Sequence, residues 1–178
     1  RHAQAYNADR AEGQANLGQL EARLGNIEAA ITAYQAAILI NPAFLPAYIN
    51  LADLEARRGD EVEAEKTLHR ALIIEPANAA AHHALGLSLI RSKRLKEAVS
   101  ELRRAAILRP EEARYAYVYA VALYETGDVK KAIHTLKQAA GLHPTDLDIL
   151  GALVQYASKS GDNATAAEYA VKLKALQG

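Results

Sequence analysis

Tyr48-Ile49-Asn50-Leu51-Ala52-Asp53-Leu54-Glu55-Ala56-Arg57-Arg58-Gly59-Asp60-Glu61-Val62-Glu63-Ala64-Glu65-Lys66-Thr67-Leu68-His69-Arg70-Ala71-Leu72-Ile73-Ile74-Glu75-Pro76 is the stretch that decides the fold. Tyr48, Leu51, Ala52 and the aliphatic stem of Glu55 recur at helical spacing, and Ala64, Leu68, Ala71 and Ile74 do so again after Gly59-Asp60. Gly59 supplies the left-handed backbone that stops the first helix. Pro76 stops the second, because the residue before a proline avoids the helical region. Two helices, 45–58 and 61–74, joined by so short a turn must lie antiparallel.

The same punctuation runs along the chain. Pro42, Pro76, Pro110 and Pro144 are each 34 residues apart. Gly25, Gly59, Gly127 and Gly161 keep that period, with Lys93 in the one gap. Ala30, Ala64, Ala98, Ala132 and Ala166 form a third column, and Ala37, Ala71, Ala105 and Ala139 a fourth. On the first helices Gly18, Ala52, Gly86 and Ala120 are small as well. Small side chains let helix axes approach to the short end of the usual range. Leu17, Leu51, Leu85, Tyr119 and Leu153 are then expected to fill the layer between helices.

This pattern resembles the tetratricopeptide repeat (TPR), most completely in Leu85-Gly86, Ala98, Leu102, Ala105 and Pro110. Five units span 11–44, 45–78, 79–112, 113–146 and 147–178, and residues 1–10 resemble the end of a truncated upstream repeat, with Ala3 and Tyr6 in register but Ala8 in place of Pro. The resemblance implies an all-α chain, an α-α superhelix or TPR solenoid of five antiparallel helix pairs plus a partial leading helix over residues 1–8. It implies an open right-handed arc, with a concave groove that binds a protein or peptide segment. A narrower resemblance joins His82-His83-Ala84-Leu85-Gly86, Glu101-Leu102-Arg103-Arg104-Ala105-Ala106 and residues 113–123 to the C-terminal TPR segment of bacterial multihaem c-type cytochromes. It implies a non-catalytic appendage of a periplasmic parent enzyme, with the cytoplasm as the alternative location for a TPR protein of another kind.

Composition limits what such a chain does. Lys plus Arg equals Asp plus Glu, 21 against 21, so global charge gives no support to nucleic-acid binding. There is no Cys, hence no thiolate nucleophile, disulfide or CxxCH haem attachment in this segment. No apolar run approaches the ~18 residues of a membrane helix. The chain lacks Met and is read as an excised piece of a longer protein. The six histidines form no HExxH or close cluster; adjacent His82 and His83 point about 100° apart on a helix. His82 occupies the column of Tyr48 and is expected in the core. The serines have no GxSxG context, and the carboxylates fall mostly in first turns or at helical spacing to bases. No catalytic residue, metal or cofactor is expected.

The second, fifth, ninth and twelfth residues of each unit share one face of the first helix, which lines the groove in TPR proteins. It is polar or small at Gln19, Asp53 and Gln155 but apolar in the third and fourth units. The expected partner-binding residues are therefore His83, Leu87, Ile90, Tyr117, Val121 and Tyr124, with Arg57, Arg91 and Arg114 to orient an acidic chain. The carboxylate clamp of chaperone-binding TPR domains is not present: Ala15, Gln19, Asn50, Ala80 and Ala84 match it only at Asn50. An asparagine ladder begins at Asn16 and Asn50 and lapses at Ala84, Val118 and Ala152. Charge is also uneven. Residues 45–78 hold four bases and seven acids (4 − 7 = −3), and residues 79–112 seven bases and four acids (7 − 4 = +3). Lys93, Arg94, Lys96, Arg103 and Arg104 read either as a solvated face or as a patch for an acidic partner. Tyr169, Leu173 and Leu176 lie on the last helix with no polar helix after it. The terminal helices are thus open to a second copy or to cover by a partner.

Overall fold

The computed structural model describes residues 2–177, with side chains from residue 7 onward. Among them are ten helices and no strand: α1 (His2–Leu24), α2 (Ile27–Ile40), α3 (Leu45–Arg58), α4 (Glu61–Ile74), α5 (Ala79–Arg91), α6 (Leu95–Leu108), α7 (Ala113–Glu125), α8 (Val129–Leu142), α9 (Leu147–Ser160) and α10 (Asn163–Gln177). The bounds of α3 and α4 are those the periodicity gives. The chain divides into two compact units, Arg1–Ser92 and Lys93–Gly178. In the first, α1 packs on α2, α2 on α3, α3 on α4 and α4 on α5, and the first helices α1, α3 and α5 also touch in sequence. In the second, α6 packs on α7, α7 on α8, α8 on α9 and α9 on α10, with α7 and α9 touching.

The alanine columns hold each pair together. Ala30, Ala37, Ala64 and Ala71 in the first unit and Ala98, Ala105, Ala132 and Ala139 in the second are all at most 3% exposed. Between the columns stands one large residue per second helix, Tyr34 and Leu68 in the first unit and Leu102 and Leu136 in the second, each buried. Tyr34 is bulkier than the leucines at its register, and the first helix facing it carries Gly18 there. A Cβ on Gly18 would lie 2.9 Å from the Tyr34 ring. Ala52 and Ala120 are tolerated at the same register, where the smaller Leu68 and Leu136 are the large residues.

Two expectations are corrected. The leading segment is not a separate short helix: α1 runs unbroken from His2 to Leu24. Ala8 stands where a proline would break the chain, so nothing interrupts the helix. The side chains of Ala3 and Tyr6 lie outside the described residues. Second, Leu51, Leu85 and Leu153 are buried, but Leu17 is 43% exposed and Tyr119 only half-buried. Leu17 sits on a helix whose main neighbours are α2 and α3. Leu20 and Leu24 are exposed beside it on α1. At the other end Tyr169 is buried and Leu173 half-buried, while Val171 and Leu176 are exposed.

The turn column behaves as one feature with one exception. Its four glycines have φ between 81° and 96°, and Lys93 takes the same left-handed form at φ 59°. That conformation crowds a Cβ against the backbone and costs about 1 kcal/mol in a residue other than glycine. Lys93→Gly should therefore raise stability by up to about 1 kcal/mol, whereas Lys93→Ala should be near neutral. Urea unfolding checks both, and equal effects would contradict the strain. Gly18→Ala should lower stability by about 1–3 kcal/mol through displacement of Tyr34. Gly13→Ala on the same helix, with nothing within 4 Å of its Cβ position, should raise it by about 0.5–1 kcal/mol. The same unfolding measurement distinguishes them by sign.

Candidate functional site

The nine expected site residues fall on both units, and each unit is considered by itself. In the first, α3 and α5 carry Arg57, His83, Leu87, Ile90 and Arg91. Leu87 and Ile90 are half-buried, so each offers part of its surface. His83 is 8% exposed and has little to offer a partner. Both arginines have carboxylates of their own. Arg57 lies 3.8 Å from Asp53 one helical turn away. Arg91 holds Glu61 through Nε and, at 3.3 Å, through Nη2.

Glu61 anchors more than that pair. The Ser88 hydroxyl, fully buried on α5, donates to Glu61 Oε2 at 2.7 Å. Burial pushes the Glu61 carboxyl up, but the hydrogen bonds from Arg91 and Ser88 and the Arg91 charge outweigh it and hold it below the usual carboxylate range. The start of α4 is thereby tied to the end of α5. Arg58 links the end of α3 to Glu28 at the start of α2 in the same way, at 3.2 Å. Arg91 is thus engaged in joining α5 to α4, whereas Arg57 pairs within its own helix.

In the second unit α7 and α9 form the wall. Tyr117, Val121 and Tyr124 are half-buried on α7, and Arg114 is exposed at its start. The Tyr124 ring stacks on Tyr156 of α9, centroids 3.9 Å apart and planes 11° from parallel. Lys159 Nζ lies 5.9 Å from the Tyr124 centroid. Burial raises the Tyr156 hydroxyl pKa, with Tyr117, Glu125 and Tyr124 adding to it. Tyr124 therefore leaves only part of its ring exposed. Sequence reasoning missed Tyr156, since a stack between neighbouring first helices leaves no trace in the periodicity of either one. Beside Arg114 a hollow of about 70 Å³ is lined by Ala113, Tyr117, Asp146 and Asp148. Among the described residues no carboxylate is ion-paired with Arg114.

The histidine expected in the core is there for a stated reason. His82 is 2% exposed and its Nε2 donates to the Pro76 carbonyl at 2.9 Å. Tyr48, one repeat earlier, donates from its hydroxyl to the Pro42 carbonyl at 3.0 Å. Both side chains satisfy the carbonyl of the proline that ends the preceding helix. Among the described residues no group of three or more His, Asp or Glu side chains could hold a metal ion. No helix among them is long and apolar enough to cross a membrane.

Helix pairs in one 34-residue register, joined by left-handed turns and stopped by prolines, define a helical-hairpin repeat protein. Models of the tetratricopeptide repeat match residues 21–87 and 83–146, together more than half of the chain, which belongs to the TPR family. Solved structures agree on the fold. MamA matches with 19% identity over 90% of this chain and 94% of that one, at a TM-score of 0.78. PilF of Pseudomonas aeruginosa matches with 20% identity over 97% and 78%, at 0.83. YrrB, described as a TPR protein with an unusual peptide-binding site, matches with 19% identity over 92% and 84%, at 0.71. No curated protein matches the sequence. The narrower resemblance to a multihaem cytochrome segment finds no support in these matches. The residues that suggested it, such as His82, Leu85 and Leu102, are buried repeat positions.

Two buried or half-buried carboxyls in the first unit give opposite pH signatures. Glu55 is 8% exposed with Oε2 lacking a hydrogen-bond partner. Burial raises its pKa; Glu63 and Asp60 add to this, against Thr67 and Arg58. A raised folded-state carboxyl stabilises fully at low pH and loses that contribution as pH rises through the folded pKa. Glu61, depressed, contributes above the unfolded pKa and loses it as pH falls through the folded one. Glu55→Gln should therefore raise the unfolding temperature at pH 7, and Glu61→Gln should lower it, the latter by on the order of 1 kcal/mol. Both differences should shrink toward pH values below about 4. Thermal unfolding across that range is the check, and a like-signed pair would contradict it.

Proposed function

We propose that this chain is a non-catalytic protein-interaction scaffold whose first-helix walls hold an extended segment of a partner protein or peptide. The observation that carries the reading is the row of half-buried Tyr117, Val121 and Tyr124 on α7, with Val121 where other units have Gln19, Asp53 and Gln155 and Tyr124 where they have the small Ala22, Ala56 and Ser158. Tyrosine gives a partner large rigid area with a polar tip. Arg114, exposed and not ion-paired among the described residues, stands at the start of the same helix and suits an acidic group on the bound segment. In the first unit Leu87 and Ile90 serve as apolar contacts. Arg57 and Arg91 have lesser parts, because Asp53 and Glu61 already occupy them. Peptide binding by YrrB, a structural neighbour, supports the reading. The polar groups that do converge, Glu61, Ser88 and Arg91, join helices to one another and are not free for chemistry. The exposed leucines of α1 and Leu176 of α10 leave the terminal helices open to a second copy, as part of the same reading.

Peptides selected from a displayed library on the wild-type chain provide the test. Tyr117→Ala and Tyr124→Ala should each weaken a selected peptide by about 1–3 kcal/mol with the helical spectrum unchanged. Leu85→Ala, at a position 2% exposed, should instead cost about 2–5 kcal/mol of stability. Unchanged peptide affinity in both tyrosine variants would end the proposal.

A further inference from the structure

The second unit has a further groove, away from the α7–α9 wall, formed where α6 and α8 both lean on α7. It is a hollow of about 380 Å³ with Ala116 and Tyr119 of α7 among its lining. Its origin is a departure from the repeat. Ala116 occupies the column in which Tyr48 and His82 reach the carbonyl of the preceding proline. Alanine cannot reach it, and space opens beside Pro110, whose carbonyl hydrogen-bonds instead with His143 Nε2 at 3.2 Å.

The groove's chemistry is one-sided. Arg103 of α6 and Lys131 and His134 of α8 line it, and no carboxylate does. Arg103 has no ion-pair partner among the described residues, whereas its neighbour on α6, Arg104, lies 4.0 Å from Glu101. Lys131 pairs with Asp128, which lines an adjoining hollow that shares Arg103, Tyr119 and Lys131. The rim is apolar: Ile107 is 64% exposed and Leu142 61%. Exposed aliphatic side chains beside the unpaired Arg103 form a surface suited to a ligand that meets both.

We propose that this groove is a second docking surface, for an acidic amphipathic segment of a partner protein. Its aliphatic side chains enter beside Ala116 and Tyr119 and lie against Ile107 and Leu142. Its carboxylates meet Arg103 and the edge formed by Lys131 and His134 through charge-assisted hydrogen bonds. This goes beyond the first-helix site and does not depend on it, since the two surfaces share none of the residues argued to bind.

The test uses two synthetic amphipathic peptides with the same leucine spacing, one carrying glutamates on its polar face and the other lysines. They are titrated into isotopically labelled protein and followed by amide NMR. The glutamate peptide should shift the amides around Arg103, Ile107, Ala116 and His134, more weakly as salt is raised, and the lysine peptide should not. Arg103→Glu and Ala116→Tyr, the second restoring the bulk of the column, should each weaken the glutamate peptide about tenfold or more. Arg103→Glu alters an exposed side chain and keeps the test decisive if Ala116→Tyr fails to fold. Equal binding of both peptides, no binding, undiminished binding to Arg103→Glu, or shifts confined to the α7–α9 wall would overturn the proposal. So would the same shifts produced by added unlabelled protein alone, which would make the occupant a second copy of this chain.

Discussion

Close approach of two helices at alanine is the constraint on which the rest of the structure depends. Ala30 and Ala37, Ala64 and Ala71, Ala98 and Ala105, Ala132 and Ala139 are almost wholly buried, one pair on each of α2, α4, α6 and α8. Each lets a neighbouring helix come near enough for a single large side chain, Tyr34, Leu68, Leu102 or Leu136, to fill what remains. The gain from burial, at roughly 25 cal/mol per Å² of apolar surface, gathers in a core cluster within each unit. Gly18 marks how tight the arrangement is: against Tyr34 there is no room for a Cβ at that position.

Once the small columns fix the inner faces, the outer faces are free to differ, and function enters there. Polar contacts that cross between helices do one of two things. Some close the joints, as Glu61 does with Ser88 and Arg91, or Arg58 with Glu28. Others satisfy backbone that the prolines leave exposed, as Tyr48 and His82 do. What these tasks leave over is limited. It includes the half-buried row on α7, the exposed Arg114, the half-buried Leu87 and Ile90 on α5, and the groove that Ala116 opens between α6 and α8. Departures from the repeat are therefore the places to look for binding.

The fold was almost wholly legible in the sequence, because each helix boundary has a local cause. Gly59 and Pro76 delimit α3 and α4 to the residue, and His82 falls in the core as its column requires. The failures have local causes too. A separate leading helix was expected over residues 1–8, but without a breaker at Ala8 it merges into α1. The candidate site was only partly legible. Periodicity placed Tyr117, Val121 and Tyr124 on one face, but it could not show that Tyr156 would cover one side of the Tyr124 ring. Nor could it show that Arg91 would be taken by Glu61, 30 residues away. Such pairings between helices depend on packing geometry that no single helix encodes.

The most direct measurement is a crystal structure of the chain bound to a library-selected peptide. The expected result is a peptide lying along α7 and α9, with an apolar side chain against Tyr117 and the free edge of Tyr124 and an acidic group near Arg114. A peptide seated elsewhere, with the α7–α9 wall left bare, would contradict the claim that the first-helix wall is the binding surface.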